Sequence, residues 1–165
     1  MNDPLQANLL YLQLAQLNAD YAAAIDAQDW ERWIDFFVDD CTYKVQPREN
    51  HERGFPLCTL ALISKGMLRD RAYGIKETLF HDPYYQRHVV SLPRILRRSD
   101  DDKGDLIEAE SNYAVFRTKL SQETTVFNVG RYLDRVRVTP EGLKFEARVC
   151  VYDTEMIPNS LIYPI

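Results

Sequence analysis

The spacing of apolar residues changes once along this chain, from a helical period to a strand period. Near the N-terminus apolar residues recur every three or four positions and form one stripe: Leu10, Leu14, Leu17, Tyr21 and Ile25. Asp3 and Pro4 are typical of the N-cap and first turn of such a helix. Asp29 then predicts the start of a second, shorter helix whose apolar face must be buried: Trp30, Trp33, Ile34 and Phe37.

From residue 41 onward much of the chain has the two-residue period of β-strands. We predict a strand at "CTYKVQP" that ends at Pro47, a loop over 47–56, a buried strand at "LCTLALI" and an amphipathic helix at "KGMLRDRAYGIKETLF". After Pro83, four long strand segments are joined by turn-forming sequences: 85–98, 106–120, 124–138 and 143–153. In the last segment apolar residues alternate with a second set that is predicted to stay unpacked: Lys144, Glu146, Arg148 and Cys150.

Helices followed by long sequential strands predict an α+β fold with N-terminal helices packed on a curved, mainly antiparallel sheet. The strands are longer than the usual five or six residues, so we expect bulges, or glycines such as Gly130, to bend them. A strongly curved sheet wrapped over helices forms a cone, whose interior is either a ligand pocket or a filled core. No linker or repeat divides the sequence, so we expect residues 1–165 to form a single domain.

Composition and charge argue against several classes of function. The net charge of −5 does not suit a nucleic-acid partner, because phosphate binding needs a basic surface. No apolar run approaches the ~20 residues of a membrane span, and the first residues lack the basic start of a secretory signal. Cys41, Cys58 and Cys150 form no CxxC pattern. We therefore expect a cytoplasmic protein with reduced thiols and neither a nucleic-acid nor a membrane partner.

The segment "HDPYYQRHVV" raises the hypothesis of a metal site. Two of its histidines, His81 and His88, stand seven residues apart with Asp82 beside the first, and two histidines with a carboxylate can hold non-haem iron. Seven residues span about 10 Å in a helix and about 23 Å in a strand, whereas metal–nitrogen bonds measure about 2.1 Å. Only a tight turn at Pro83 would unite the two rings. We therefore predict a strand at His88, a loop at His81 and no metal ligand in this chain.

Two further polar groups leave several interpretations open. Asp39 and Asp40 form either a paired-carboxylate site or a solvated turn. Arg131, Arg135 and Arg137 are predicted to share one strand face, where they bind an anionic substrate, contact an acidic partner or face solvent.

An enzyme on the same cone is one alternative for function, such as an isomerase, a dehydratase or a cyclase. It needs an acid or base within hydrogen-bond reach of its substrate. The candidates are His88 paired with one of three carboxylates and assisted by a tyrosine: Asp20, Asp39 or Asp40, with Tyr11 or Tyr21. A non-catalytic binding module on this scaffold is a third possibility.

Three segments resemble the small (beta) subunits of aromatic-ring-hydroxylating oxygenases. In "IDAQDWERWIDFFVDDCTYKVQP" the matching residues are Asp26, Trp33, Phe37, Asp39, Asp40, Tyr43 and Pro47. The segment "YYQRHVVSLPRI" is similar to an Arg-His strand of that family, carried here by Arg87 and His88. In the C-terminal segments the matches are Phe127, Gly130, Arg131, Asp134, Arg148, Asp153 and Asn159. Tyr84, Tyr85 and Leu92 depart from the family pattern.

The resemblance implies a fold, a set of partners and a reaction. The fold is the cone of nuclear transport factor 2 (NTF2-like, or cystatin-like), and the chain is a non-catalytic structural subunit. Other copies of the chain form the trimeric core of an α3β3 complex with a large (alpha) subunit. That subunit carries the Rieske iron–sulfur cluster (2Fe–2S) and the mononuclear Fe(II), and electrons arrive from NADH through a reductase and a ferredoxin. Within the family the sequence is most similar to salicylate 5-hydroxylase small subunits, which implies conversion of salicylate to gentisate; by the family resemblance the enzyme is a monooxygenase or a dioxygenase.

Subunit contacts of such a complex are expected to use aromatic and arginine side chains. The candidates are Tyr85, Arg87, His88, Arg131, Arg135 and Tyr163. The apolar tail "NSLIYPI" is predicted to be tied down against the sheet or a neighbouring subunit. On this hypothesis, removal of residues 159–165 weakens assembly before it affects the fold.

Overall fold

The computed structural model describes residues 4–158 and 160–165 of the chain. Asp3, the predicted N-cap of the first helix, and Asn159 lie outside that range. No helix in the described range is long and apolar enough to cross a bilayer.

Two N-terminal helices pack against the sheet. The first, α1 (Pro4–Asp26), buries the stripe predicted from its sequence, with Tyr21 and Ile25 fully enclosed. The second, α2 (Trp30–Asp35), begins at the predicted cap, because the Asp29 carboxylate accepts a hydrogen bond from the Arg32 N–H at 3.1 Å.

The prediction that α2 extends to Phe37 is wrong. The helix ends at Asp35 with Phe36 as its C-cap, and Phe37 begins strand β1 (Phe37–Pro47). Phe37 is four residues from Trp33 but an even number of residues from Tyr43, so it fits a helical stripe and a strand face equally well. Pairing of Phe37 with Phe145 on a distant strand decides between them.

The middle of the chain is more regular than predicted in one place and less regular in two. The predicted loop after Pro47 contains a short helix, α3 (Arg48–Glu52), and an ion pair of 2.8 Å joins its two end residues. Of the strand predicted over 57–63, only β2 (Leu60–Leu62) forms. The predicted amphipathic helix begins at α4 (Lys65–Tyr73) and continues as a π-helical turn over Gly74–Thr78.

Five strands follow, where four were predicted: β3 (Tyr84–Val90), β4 (Arg94–Asp101), β5 (Gly104–Lys119), β6 (Thr125–Thr139) and β7 (Gly142–Tyr152). The segment predicted as one strand over 85–98 is divided, because Pro93 has no N–H to continue a ladder. As a result, β3 and β4 pair with different halves of the long β5.

The strands form one seven-stranded sheet in the order β2-β1-β7-β6-β5-β3, with β4 also on β5. All pairs are antiparallel except β1 with β7, which is parallel. The sheet curves around α1 and α2 and encloses an apolar core rich in aromatic rings. The predicted α+β class, with helices on a curved and mainly antiparallel sheet, is confirmed.

A β-bulge reverses the predicted faces of β7. Val136 pairs with Phe145 but Arg135 pairs with Ala147, so Glu146 is an extra residue on β7. Beyond the bulge the inward and outward positions exchange. The prediction that Arg148 and Cys150 stay unpacked is therefore wrong, since both are fully buried.

Gly130 stands where two strands approach unusually closely. A Cβ atom built on Gly130 would lie 2.0 Å from the main-chain oxygen of Val151. No side chain fits at that distance, so glycine at this position allows β6 and β7 to stay paired.

Candidate functional site

Asp26 and His88 form a buried pair between the end of α1 and strand β3. The Asp26 carboxylate accepts hydrogen bonds from His88 Nδ1 at 2.6 Å and from the His88 main-chain N–H at 3.0 Å. Because a carboxylate only accepts, Nδ1 carries the proton. The His88 side chain has no exposed surface, and its Nε2 atom has no hydrogen-bond partner among the described residues.

This pairing corrects the partners proposed for His88 from sequence. Asp20 lies 3.5 Å from Arg32, and neither it nor the two carboxylates of β1 contacts His88. The side chains of Asp39 and Asp40 are almost fully exposed and pair with lysines. The helper tyrosines are also elsewhere: the Tyr21 hydroxyl binds the main-chain oxygen of Ile165, and Tyr11 is half-buried on α1. Asp26 stands one turn before the Asp29 cap, and this position near the end of α1 is the sequence signal for a residue that faces the sheet.

His81 belongs to a different hydrogen-bond network. Its Nε2 atom lies 2.8 Å from the Tyr163 hydroxyl, while His88 is bound to Asp26. Across residues 4–158 and 160–165, no three His, Cys, Asp or Glu side chains are grouped so that they could hold a metal ion. The two histidines of the hypothetical metal site therefore lie in separate hydrogen-bond networks.

The interior of the cone contains one fully buried cation. The Arg148 guanidinium donates to both Asp134 carboxylate oxygens, at 2.8 Å and 2.7 Å, and to the Asn18 side-chain oxygen. Asn18 in turn donates to the Ser111 hydroxyl at 3.0 Å. Three aromatic rings stack on the guanidinium at 4.0–4.2 Å: Tyr21, Tyr132 and Phe145. The network joins α1 to three strands, so its direct role is to hold the helix against the sheet.

The three arginines of β6 are each bound by carboxylates of the same chain. Arg131 lies 3.8 Å from Glu110, and Arg135 donates to Glu146 at 3.0 Å. Arg137 donates to both oxygens of Asp101, at 2.7 Å and 2.8 Å. The Arg137 guanidinium holds the pKa of Asp101 low, at about 2. Arg137 is buried, so Arg131 and Arg135 alone of the three are available to a partner.

An apolar patch covers part of the outer face of the sheet. Cross-strand pairing places Val89 beside Ala114 and Val129, and Phe116 beside Val126. The outer-face patch, as we name it, consists of Tyr85, Val89, Phe116, Val126 and Val129. Tyr85 is 73% exposed and Val126 is 60% exposed. Arg87 is also exposed, and it lies within 3.8 Å of the Asp26 carboxylate.

The six predicted interface residues thus separate into two groups. Tyr85, Arg87, Arg131 and Arg135 lie on the surface of the chain. His88 and Tyr163 are buried inside it, in contact with Asp26 and His81 respectively.

A family model described as "Ring hydroxylating beta subunit" matches residues 21–159. The chain belongs to this family. The beta subunit is 32% identical over 155 residues to the anthranilate 1,2-dioxygenase small subunit of Burkholderia cepacia, covering 94% of each chain. It is 30% identical to the terephthalate 1,2-dioxygenase subunit beta 1 of Comamonas, covering 93% of this chain and 97% of that one.

A solved structure agrees with this membership. The beta subunit assigned to an aromatic-ring-hydroxylating dioxygenase of Novosphingobium aromaticivorans matches with a TM-score of 0.83 and 33% identity, covering 96% of this chain and 99% of that one. The NTF2-like fold predicted from the resemblance is confirmed.

The residues that carry the resemblance pair with one another in the beta subunit. Asp26 binds His88, and Asp134 binds Arg148. Trp33 packs edge-on against Phe37 and Tyr43 at 6.0 Å and 5.6 Å between ring centroids. The family motifs therefore form internal contacts that hold the cone together.

Proposed function

We propose that this beta subunit is the non-catalytic structural subunit of a multicomponent, Rieske-type aromatic ring hydroxylase. The observation that carries the proposal is the family match over residues 21–159. The internal use of both histidines of the hypothetical metal site supports it, because His81 and His88 are each hydrogen-bonded to a residue of the same chain. The large subunit carries the Rieske cluster and the mononuclear Fe(II), and NADH supplies electrons through a reductase and a ferredoxin.

We further propose that residues 1–165 act as one domain and that three copies form the core of a cytoplasmic α3β3 complex. The outer-face patch supports a contact with another subunit, because it combines exposed Tyr and Val side chains with Arg87. Aromatic and arginine side chains are enriched in interfaces. We retain Tyr85, Arg87, Arg131 and Arg135 as interface residues.

For the reaction, we propose hydroxylation of salicylate to gentisate. The named relatives act on anthranilate and terephthalate, and both molecules are aromatic acids, which supports an aromatic carboxylate as substrate. The choice of salicylate rests on the resemblance to salicylate 5-hydroxylases. This reaction is a monooxygenation: one atom of O2 enters the ring, and the other leaves as water with two electrons from NADH.

Co-expression with the neighbouring large-subunit gene tests the structural role. Tagged beta subunit should then retain a larger, red-brown iron protein, whereas the same chain expressed alone should be colourless and inactive. A chain that binds stoichiometric iron by itself would overturn the proposal. With reductase and ferredoxin added under 18O2, salicylate should yield gentisate with one labelled atom. Turnover of anthranilate or terephthalate in its place would reject only the substrate assignment.

One observation favours the alternative of an enzyme on this fold. The Asp26–His88 pair has the arrangement of a carboxylate that orients a histidine base, with Nε2 unbonded in the described part of the chain. Against it, the His88 side chain is fully enclosed, so Nε2 is not accessible to a substrate in this structure. Turnover of a small carbonyl substrate by the isolated chain, abolished by His88→Gln, would establish this alternative.

A further inference from the structure

The last residues of the described chain enter the cone and end among hydrogen-bond donors. The main-chain oxygen of Ile165 accepts from the hydroxyls of Tyr21 and Tyr43, both at 2.8 Å, and lies 3.4 Å from Cys150 Sγ. The Ile165 N–H donates to the Tyr43 hydroxyl at 2.9 Å. Ile165 itself is fully buried. One oxygen thus receives three donors inside an aromatic core.

The preceding tail residues are also bound through main-chain atoms. Arg71 of α4 donates to the carbonyls of Leu161 and Ile162, at 2.6 Å and 2.8 Å. The Tyr163 ring packs at 4.5 Å from Tyr84 and 5.2 Å from Trp30, between ring centroids. Besides its buried apolar side chains, the tail is thus bound through one flat ring and carbonyl oxygens, which are features that a small molecule also has.

The aromatic core around Ile165, which includes Tyr21, Trp33, Tyr43 and Tyr132, has more hydrogen-bond donors than the tail uses. Several buried donor atoms of the described residues have no partner, and three of them belong to side chains that contact Tyr21 or Tyr43: Trp33 Nε1, Tyr132 OH and Arg148 Nη1. An unsatisfied buried polar group is destabilising, so an apolar interior rarely keeps several. Burial raises the pKa of the Tyr21 and Tyr43 hydroxyls, and raises that of the Cys150 thiol to about 12. These groups therefore remain protonated donors at physiological pH.

We propose that the interior of the cone is a binding site for an aromatic molecule with a carbonyl or carboxylate oxygen, and that residues 161–165 fill it at rest. The oxygen of the ligand replaces that of Ile165 between Tyr21 and Tyr43. The ring of the ligand packs against the aromatic side chains next to Trp33, which are Phe37 and Tyr43. Because the tail competes for the same donors, the apparent affinity of the ligand is reduced by the fraction of chains in which the tail is withdrawn.

The test weakens the binding of the tail but leaves the residues that bind Ile165 unchanged. In the full-length chain, Arg71→Ala removes the two bonds to Leu161 and Ile162, and Arg69→Ala on the exposed side of the same helix is the matched control. The probes are 2-naphthoate, 2-acetylnaphthalene and, without an acceptor, 2-methylnaphthalene, measured by isothermal titration. At least one acceptor probe should bind R71A tenfold or more tighter than wild type or R69A. If 2-naphthoate binds more tightly, the ligand is a carboxylate; if 2-acetylnaphthalene binds more tightly, it is a carbonyl compound.

Adding Tyr43→Phe to R71A should weaken binding of that acceptor probe at least tenfold and leave 2-methylnaphthalene unchanged. Equal affinities of R71A and wild type, or no effect of Tyr43→Phe, would overturn the proposal. If R71A does not fold, amide hydrogen exchange of the wild-type chain provides a second test. Saturating acceptor probe should speed amide hydrogen exchange of residues 161–165 but not of β5 and β6. Unchanged or slower exchange of the tail would reject a shared site. These tests use the beta subunit alone and do not depend on its proposed oxygenase role.

Discussion

A single carboxylate, that of Asp26, holds both the main-chain N–H and the imidazole of His88. The two bonds join the last turn of α1 to the middle of β3. They come from residues 62 positions apart in the chain. The pair therefore closes one side of the cone, where the helix meets the sheet.

We expect Asp26→Ala to lower the free energy of unfolding by about 3 kcal/mol, because two hydrogen bonds to a charged group are lost and His88 stays buried. Urea unfolding of the purified beta subunit measures this change. Asp20→Ala is the control, since Asp20 is partly exposed on the same helix and contacts two exposed side chains, Gln16 at 3.1 Å and Arg32 at 3.5 Å. A loss for Asp26→Ala as small as that for Asp20→Ala would contradict the structural role of the pair.

Arg148 and Asp134 should show strong energetic coupling. Arg148→Met leaves a buried carboxylate without its cation and is expected to cost about 4 kcal/mol. Asp134→Leu leaves the buried Arg148 guanidinium without its carboxylate. The double variant should lose much less than the sum of the two single losses, because neither charge is then left unpaired. Additive losses in this double-mutant cycle would show that the two side chains do not depend on each other.

Glycine substitutions should have opposite effects at two positions. Gly130→Ala is expected to cost about 3 kcal/mol, because its Cβ would collide with the main chain of Val151. Gly66→Ala lies in α4, where the nearest atom to a new Cβ is 3.6 Å away. Alanine is favoured over glycine in a helix by about 0.5–1 kcal/mol, so this variant should be more stable than wild type. Thermal melts distinguish the two outcomes, and tolerance of Gly130→Ala would refute the close approach.

The three cysteines should differ in reactivity. Burial raises the pKa of Cys41 to about 11 and that of Cys150 to about 12, so little thiolate exists at either site at pH 8. Cys58 is partly exposed. Iodoacetamide at pH 8, followed by peptide mass spectrometry, should therefore modify Cys58 first. Urea should abolish the difference, and rapid labelling of native Cys150 would be incompatible with this burial.

Assembly of the proposed complex should depend on the outer-face patch. Val126→Glu places a charge within the patch and is expected to release the beta subunit from the complex, as judged by size exclusion of co-expressed subunits. Val138→Glu is the control, because Val138 is also exposed on β6 but lies outside the patch. Both variants should unfold at similar urea concentrations. Retention of Val126→Glu in the full complex would remove the patch from the interface.

Burial of the C-terminal tail argues against one hypothesis from sequence. On that hypothesis, removal of residues 159–165 weakens assembly before it affects the fold. In the structure Tyr163 and Ile165 are buried in the core, and Ile165 binds both Tyr21 and Tyr43. Deletion of residues 160–165 should therefore reduce the stability of the isolated chain, which urea unfolding measures directly. The apolar composition of the tail predicted burial, but composition cannot identify the surface that covers it.

Strong periodicity explains which elements could be predicted. The stripe of α1 and the alternation of β5 and β6 arise from local geometry, so their positions follow from residue spacing alone. The short α3, the π-helical turn and the division at Pro93 carry weak or ambiguous patterns. The bulge at Glu146 is set by pairing with β6, and it reversed the predicted environment of Arg148. A reversal of this kind depends on a partner strand that the local pattern does not include.

The order of residues by itself determined α1, the start of α2, the long strands β5 to β7 and the family, because each depends on spacing or on short motifs along the chain. Tertiary structure alone decided that Asp26 is the partner of His88, that Arg148 faces the core and that the tail fills the cone. Those contacts join residues far apart in sequence. The geometry of these contacts depends on how the sheet curves over α1, and the local sequence pattern does not predict that curvature.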